Sequence, residues 1–218
     1  MSNNDSATAA KAPKKRTRRT QERTEITRAK VLEAATRIFS EQGFEGVSIR
    51  DIENAAGVQR GLVAYHFDDK DNLWKTVVDA TFGLMRDEFT HRQEIMKELT
   101  ERDRLAFVVR FYVRFHAKHP ELSRLMSQEA RQHSWRIDYL TDNHIRPAAQ
   151  LMEKLVKETQ GLDRDQFIHW YYIMVSASST IFSFAPECEL LFGVDSRTEI
   201  RVEKHADMLV DMLFGKMK

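Results

Sequence analysis

Residues 48–67, SIRDIENAAGVQRGLVAYHF, decide how this chain is read. Ile49, Ile52, Ala55 and Ala56 recur at helical spacing and give a first short helix one apolar face. Ser48 precedes that run, and its hydroxyl can accept a bond from a free backbone N–H of the first turn. Asp51, three residues on, suits the positive end of the helix dipole. Gly57 can take the left-handed conformation that ends the helix and turns the chain. A second helix is predicted over about 59–66, with Val58 in the corner. Leu62 or Val63, together with Phe67, face inward, which leaves Gln59, Arg60, Tyr65 and His66 outside. Two short helices around a tight turn are how proteins place a helix in the DNA major groove. The outward residues suit that task. Arg bridges guanine edges or phosphates, Gln pairs with adenine, and Tyr and His donate to phosphate oxygens. Gly61 leaves room for a close approach to the DNA backbone.

The flanks sharpen this reading. Residues 24–42 form an amphipathic helical pattern with Val31, Leu32, Ala35, Ile38 and Phe39 on one face. Downstream, Asp69-Lys70 opens a long helical run through Leu73, Trp74, Val77 and Val78. The segments IFSEQGF, VSIRDIENAAGV, YHF and DKDNLW together resemble the N-terminal domain of TetR/AcrR-family repressors over roughly residues 24–80. The resemblance implies that Ser48, Gln59, Arg60, Gly61, Tyr65, His66 and Lys70 touch DNA. Two positions depart from the family pattern. Gln59 stands where Ser commonly caps the helix, and Ala64 stands where a Tyr commonly meets a phosphate. Docking should therefore lean on Arg60, Tyr65 and the N-terminal arm.

That arm, residues 1–21, is expected to be disordered. Within its first 20 residues Lys11, Lys14, Lys15, Arg16, Arg18 and Arg19 face Asp5 alone. The other 198 residues carry 28 basic and 32 acidic side chains, so the near-neutral total hides a polar asymmetry. An arm with few large apolar residues buries no core. Arg16, Arg18 and Arg19 are expected to reach phosphates or the minor groove. The plainer alternative is a solubilising tail.

With 8 Gly, 4 Pro and no run of alternating strands in 218 residues, the chain reads as all-α. The expected organisation is a three-helix helix-turn-helix domain over 22–69 and a larger helical ligand-binding and dimerisation domain over 70–218. Helices are predicted over about 70–92, 103–118, 121–132, 135–159 with Pro147 breaking or kinking it, 163–184 and 198–214. The apolar stretch 167–185 holds His169, Tyr171, Tyr172 and four Ser, too polar for a membrane span. Cys188 is the only cysteine, which excludes an intrachain disulfide or a Cys-based zinc site and fits a reducing cytoplasm. His116 and His119 lack a clear third metal ligand, no catalytic signature is present, and neither a metal nor a cofactor is expected. The chain reads as no enzyme.

The helix over 163–184 is apolar on more than one face, so one side should meet its own core and the other a partner. The resemblance implies that the last two helices pair with their copies in a homodimer. Ile168, Tyr172, Val175, Ser179, Phe182, Val202, Met208, Leu209 and Met212 are the expected interface. An apolar effector pocket is expected among the middle helices. Its candidates on the first of them are Phe82, Met85 and Phe89, and on the next Phe107, Phe111, Arg114 and Phe115. Met126, Glu129, Trp135, Trp170, Tyr171 and Met174 complete the set. The combined expectation is a repressor that binds a near-palindromic operator as a homodimer and is released by a small-molecule effector. The alternatives are a same-fold activator or co-repressor-dependent regulator, or an all-helical enzyme or adaptor that ignores DNA.

Overall fold

The structure, a computed structural model, describes residues 15–92 and 96–215, with side chains from Gln21 onward. Every regular element among them is helical. The helices are α1 (Lys15–Gln42), α2 (Ile49–Ala56), α3 (Leu62–Phe67), α4 (Lys70–Thr90), α5 (Glu101–Lys118), α6 (Pro120–Glu129), α7 (Trp135–Leu140), α8 (Arg146–Gln160), α9 (Arg164–Ser183), α10 (Ala185–Phe192) and α11 (Glu199–Phe214).

Helix α1 begins at Lys15, so residues 15–21 are helical and not part of a disordered arm. Arg, Gln and Glu are good helix formers, and each residue added to an existing helix gains a backbone bond. The expected arm residues Arg16, Arg18 and Arg19 thus lie in the first turns of α1. Their side chains, and residues 1–14, lie outside the described residues.

The N-terminal core is built from the predicted faces. Val31, Ala35, Ile38 and Phe39 of α1 pack with Phe44, Val47, Ile52, Val63 and Phe67. Leu73, Trp74, Val77 and Val78 of α4 close it, and all four are at most 1% exposed. The same cluster takes in Leu125 of α6 and Leu140 of α7, so it crosses from the reading domain into the larger one. A second tie lies farther along α4. The Tyr139 hydroxyl donates to Asp79 at 2.9 Å, and His144 Nε2 bonds Asp79 at 2.8 Å while its ring stacks on Phe82.

The helix expected over 135–159 is split. A π-helical turn, Thr141–Ile145, separates α7 from α8, and Pro147 sits in the first turn of α8. Proline has no N–H to donate and crowds the carbonyl one turn back, so the preceding turn must widen. Pro186 follows α9 but does not end helical structure there. It occupies the first turn of a further helix, α10, where its missing N–H costs nothing. In the larger domain, α5 is the central rod, with α8, α9 and α11 packed around it. Leu105, Val109, Val113, Val156, Met174, Phe182 and Ala206 lie at its centre. No helix among the described residues is long and apolar enough to cross a membrane.

Candidate nucleic-acid interface

The corner starts with a two-way cap. Ser48 Oγ accepts the Asp51 N–H at 3.2 Å, and Asp51 Oδ2 accepts the Ser48 N–H at 2.9 Å. The Ser48 hydroxyl also donates to Asp51 Oδ2, and this bond first, with that of the Ser48 N–H, holds the Asp51 carboxyl below its usual range. Gly57 ends α2 at φ 62°, and its N–H and that of Val58 donate back to Asn54 and Glu53 carbonyls. A side chain at Gly57 would have open space, so the positive φ, not crowding, calls for glycine there.

The reading helix starts later than expected, at Leu62 and not Gln59. Gly61 precedes it at φ 88° and offers no side chain to cap it. The cap comes from elsewhere. Glu53 on α2 is only 3% exposed, and its Oε1 accepts the N–H groups of Gly61 at 2.7 Å and Val63 at 3.3 Å. A buried carboxylate thereby satisfies two orphan donors and meets the positive end of α3. Glu53 repairs the poor cap that Gln59 represents in sequence. No local pattern marks Glu53 for this role, since eight residues separate it from Gly61 and ten from Val63.

Around this anchor the expected contact residues come together. Gln59, Arg60, Gly61 and Tyr65 are exposed, and Tyr65 reaches 73%. His66 is half-buried, with its ring edge-on to Tyr65 at 4.9 Å. Ser48 is exposed at the start of α2. Lys70 is half-buried, and its ammonium lies 4.1 Å from the centre of the Phe44 ring. Asp68, between α3 and α4, has φ 68° and ψ −61°, a conformation that L residues rarely adopt. The Asp69 N–H donates across it to the Phe67 carbonyl at 2.8 Å, and the Asp69 side chain then caps α4. This tight turn sets where Lys70 begins its helix.

The expected effector residues separate into groups. Phe82, Met85 and Phe89 of α4, Phe107, Phe111 and Phe115 of α5, and Met126 of α6 meet around Leu122 in one aromatic compartment. Tyr112 joins them, with burial pushing its hydroxyl well above the usual range. At its edge the Arg92 guanidinium lies 5.7 Å from the Phe111 ring centre, and Lys118 pairs with Glu88 at 2.9 Å. Six expected members lie elsewhere. Arg114 pairs on the surface with Glu203 at 2.6 Å, because the facing helix α11 supplies a carboxylate. Glu129 and Trp135 sit at the junction with the reading domain. Trp170 and Met174 belong to the core around α5, and Tyr171 packs against it. His116, absent from that set, is buried on α5 with no hydrogen-bond partner for Nδ1, and burial lowers its pKa to about 4. Among the described residues no group of three potential ligands could hold a metal.

The expected interface residues also divide. Ile168, Tyr172, Met208 and Met212 are exposed, Tyr172 to 66% and Met212 to 73%. Ser179, Phe182, Val202 and Leu209 are buried in their own subunit and Val175 is half-buried, because those faces of α9 and α11 are taken up by α5. In their place Ile173, Phe184, Leu190, Leu191, Phe192 and Ile200 are exposed. Leu190–Phe192 belong to α10, the helix that sequence periodicity missed.

A short helix that shows Tyr65 to solvent after an exposed Gln59–Arg60 turn, held on a capped corner and carried by a larger helical body, defines a helix-turn-helix protein. The chain belongs to the TetR family. The model of bacterial regulatory proteins of that family matches residues 31–77, and the tetracyclin repressor-like C-terminal domain matches residues 102–213. The HTH-type transcriptional repressor AcnR of Corynebacterium glutamicum is 37% identical over 71 residues, 33% of this chain and 34% of that protein. The chain thus matches about a third of that relative's length. A putative fatty acid metabolism regulator of Clostridium perfringens superposes with a TM-score of 0.66 at 15% identity, covering 87% of this chain and 99% of that one. AibR, solved with isovaleryl coenzyme A and operator DNA, gives 0.63 at 18% identity, covering 88% of this chain and all of AibR. These likenesses between solved structures concern the fold alone.

Proposed function

We propose that this protein is a transcriptional repressor that reads a near-palindromic DNA operator as a homodimer and is released by a small-molecule effector. The observation that carries the reading is the Glu53-anchored helix α3, which keeps Gln59, Arg60 and Tyr65 in solvent on a rigid corner. Arg60 and Gln59 meet base edges, while Tyr65, His66, Ser48 and Lys70 meet phosphates. The arm residues Arg16, Arg18 and Arg19 add phosphate contacts from the start of α1. The second copy packs on the apolar face of α9, α10 and α11, since monomers rarely leave so much contiguous apolar surface in water. Two-fold symmetry then calls for two half-sites.

The effector enters the aromatic compartment between α4, α5 and α6. Arg92 and Lys118 share the one Glu88 carboxylate at its edge, and two cations to one carboxylate favour a molecule with an apolar chain and an anionic head. The isovaleryl coenzyme A bound by the structural neighbour AibR has that chemistry. Release follows if the effector prefers a dimer whose reading helices are set at another spacing.

The test is selection of duplexes from a random-sequence pool by the full chain, followed by Arg60→Ala and Tyr65→Ala. Each variant should bind the selected duplex at least about tenfold more weakly, as befits a base or phosphate contact, and remain a dimer. Undiminished binding by both would sink the assignment of α3. Adding an acyl coenzyme A should release the duplex, and free coenzyme A should not.

A further inference from the structure

The turn between α1 and α2 is gripped by the larger domain. Arg136, on α7, is 6% exposed. Its Nε donates to Glu129 Oε2 of α6 at 2.7 Å, and the same guanidinium reaches across to Glu45 Oε1 at 3.1 Å. Its plane also lies 4.3 Å from the centre of the Phe44 ring. Gln128 of α6 approaches Gly43 of the same turn. Phe44 is in turn stacked on Phe39 and met edge-on by Trp74 and Trp135. This one ring therefore carries two cations, Arg136 from the larger domain and Lys70 from the start of α4.

A cation over a ring is held by the ring's face, so its position depends on how the ring is oriented. The guanidinium is planar and makes directional bonds, and here two carboxylates fix it. Among the described residues the ammonium makes no such bond, so the ring sets its place. Phe44 is thus a shared support for a bonded guanidinium and an ammonium.

We infer that Arg136 is a positioning residue for DNA binding: it fixes the Phe44 ring and thereby holds the Lys70 ammonium where a backbone phosphate meets it. The inference rests on the DNA-binding reading above. It adds a polar grip on the turn before α2 to the apolar packing that Leu125 and Leu140 already make with the reading head. Displacement of α6 and α7 loosens a phosphate contact.

The test is a double-mutant cycle read as affinity for a duplex that the full chain selects from a random pool. Arg136→Met alone would strand the Glu129 carboxylate, so the strap is removed as Arg136→Met with Glu129→Gln. Removing the strap should weaken binding about fivefold when Lys70 is present and less than about twofold in a Lys70→Met background, because the two residues act in series. The salt slope should fall by about 0.9 per subunit in the strapless variant and in Lys70→Met alike, each having lost one phosphate contact. Arg136→Lys should restore the affinity only in part. Equal losses in both backgrounds, or an unchanged salt slope, overturn the inference and leave a purely structural ion pair. If the strapless variant melts before it can be measured, Glu45→Gln replaces it. That side chain is 77% exposed, and its loss frees only the outer arm of Arg136. The cycle then reads a loss of about twofold that vanishes in the Lys70→Met background. A chain that selects no duplex overturns the DNA-binding reading and this inference together. Multiplicative losses on a selected duplex overturn this inference alone.

Discussion

Tyr65 on the reading helix and Met212 on α11 are equally exposed, at 73% each. Their surroundings differ. Tyr65 stands among Gln59, Arg60 and His66, on a helix of six residues whose first turn depends on a buried carboxylate. Met212 stands with Tyr172, Ile173 and Met208 on long helices whose opposite faces are locked into the core around α5. Exposure by itself says that a surface is unpartnered. The chemistry beside it says whether nucleic acid or protein completes it. Donors and a cation suit phosphates and base edges, and a continuous apolar patch suits a copy of itself.

The comparison breaks most sharply at the apolar patch. Tyr172→Glu combined with Met212→Glu places like charges across a two-fold axis, and dimer affinity should fall at least about 100-fold, on the order of 3 kcal/mol. Sedimentation would read the monomer, and helix α3 should remain folded. An unchanged dimer would move the interface elsewhere.

The larger domain carries a buried acid-sensitive imidazole. Burial, with His119 adding to it, lowers the His116 pKa to about 4. The unfolded imidazole titrates near 6.5, so between that pH and about 4 the unfolded state binds a proton that the folded state refuses. Stability is full above this window and falls through it as pH drops, by on the order of 3 kcal/mol. Urea unfolding at neutral and acid pH should show this loss, and His116→Leu should flatten it.

At the reading head, Glu53→Leu strands two N–H groups at the start of α3. A loss of about 2 kcal/mol is expected in urea unfolding, with DNA binding lost and the dimer kept. Glu53→Gln, which retains an acceptor oxygen, should lose less. The smallest effect belongs to the α5–α11 rim. Arg114 and Glu203 are 47% and 43% exposed, and their hydrogen bond holds the Glu203 carboxyl below its usual range. Water screens such a pair, so Arg114→Ala should cost no more than about 1 kcal/mol in thermal unfolding.

Local patterns carried most of the fold. The Ser48–Asp51 cap, the turn at Gly57 and the faces of α1, α2 and α4 involve residues within four or five positions of one another, and their chemistry is visible in the chain as written. The last helix was legible for the same reason. Helix α10 was not, because Pro186 opens a helix as readily as it ends one, and only the neighbouring chain decides which. The division of α9 and α11 into core and exposed faces was beyond periodicity as well. Both faces are apolar, and which of them meets α5 is a matter of packing.

The sequence by itself determined that this chain is all-α, that a capped corner presents Gln59, Arg60 and Tyr65, and that the helix over 163–184 is apolar on more than one face. Only the tertiary structure decided that Glu53 supplies the cap α3 lacks, that Glu129 and Trp135 belong to the domain junction, and that Arg136 reaches Glu45 across 91 residues of chain. The reason is physical. A cap or a helical face is encoded by neighbours in the chain, whereas a buried carboxylate or guanidinium takes its partner from whatever element folding brings beside it.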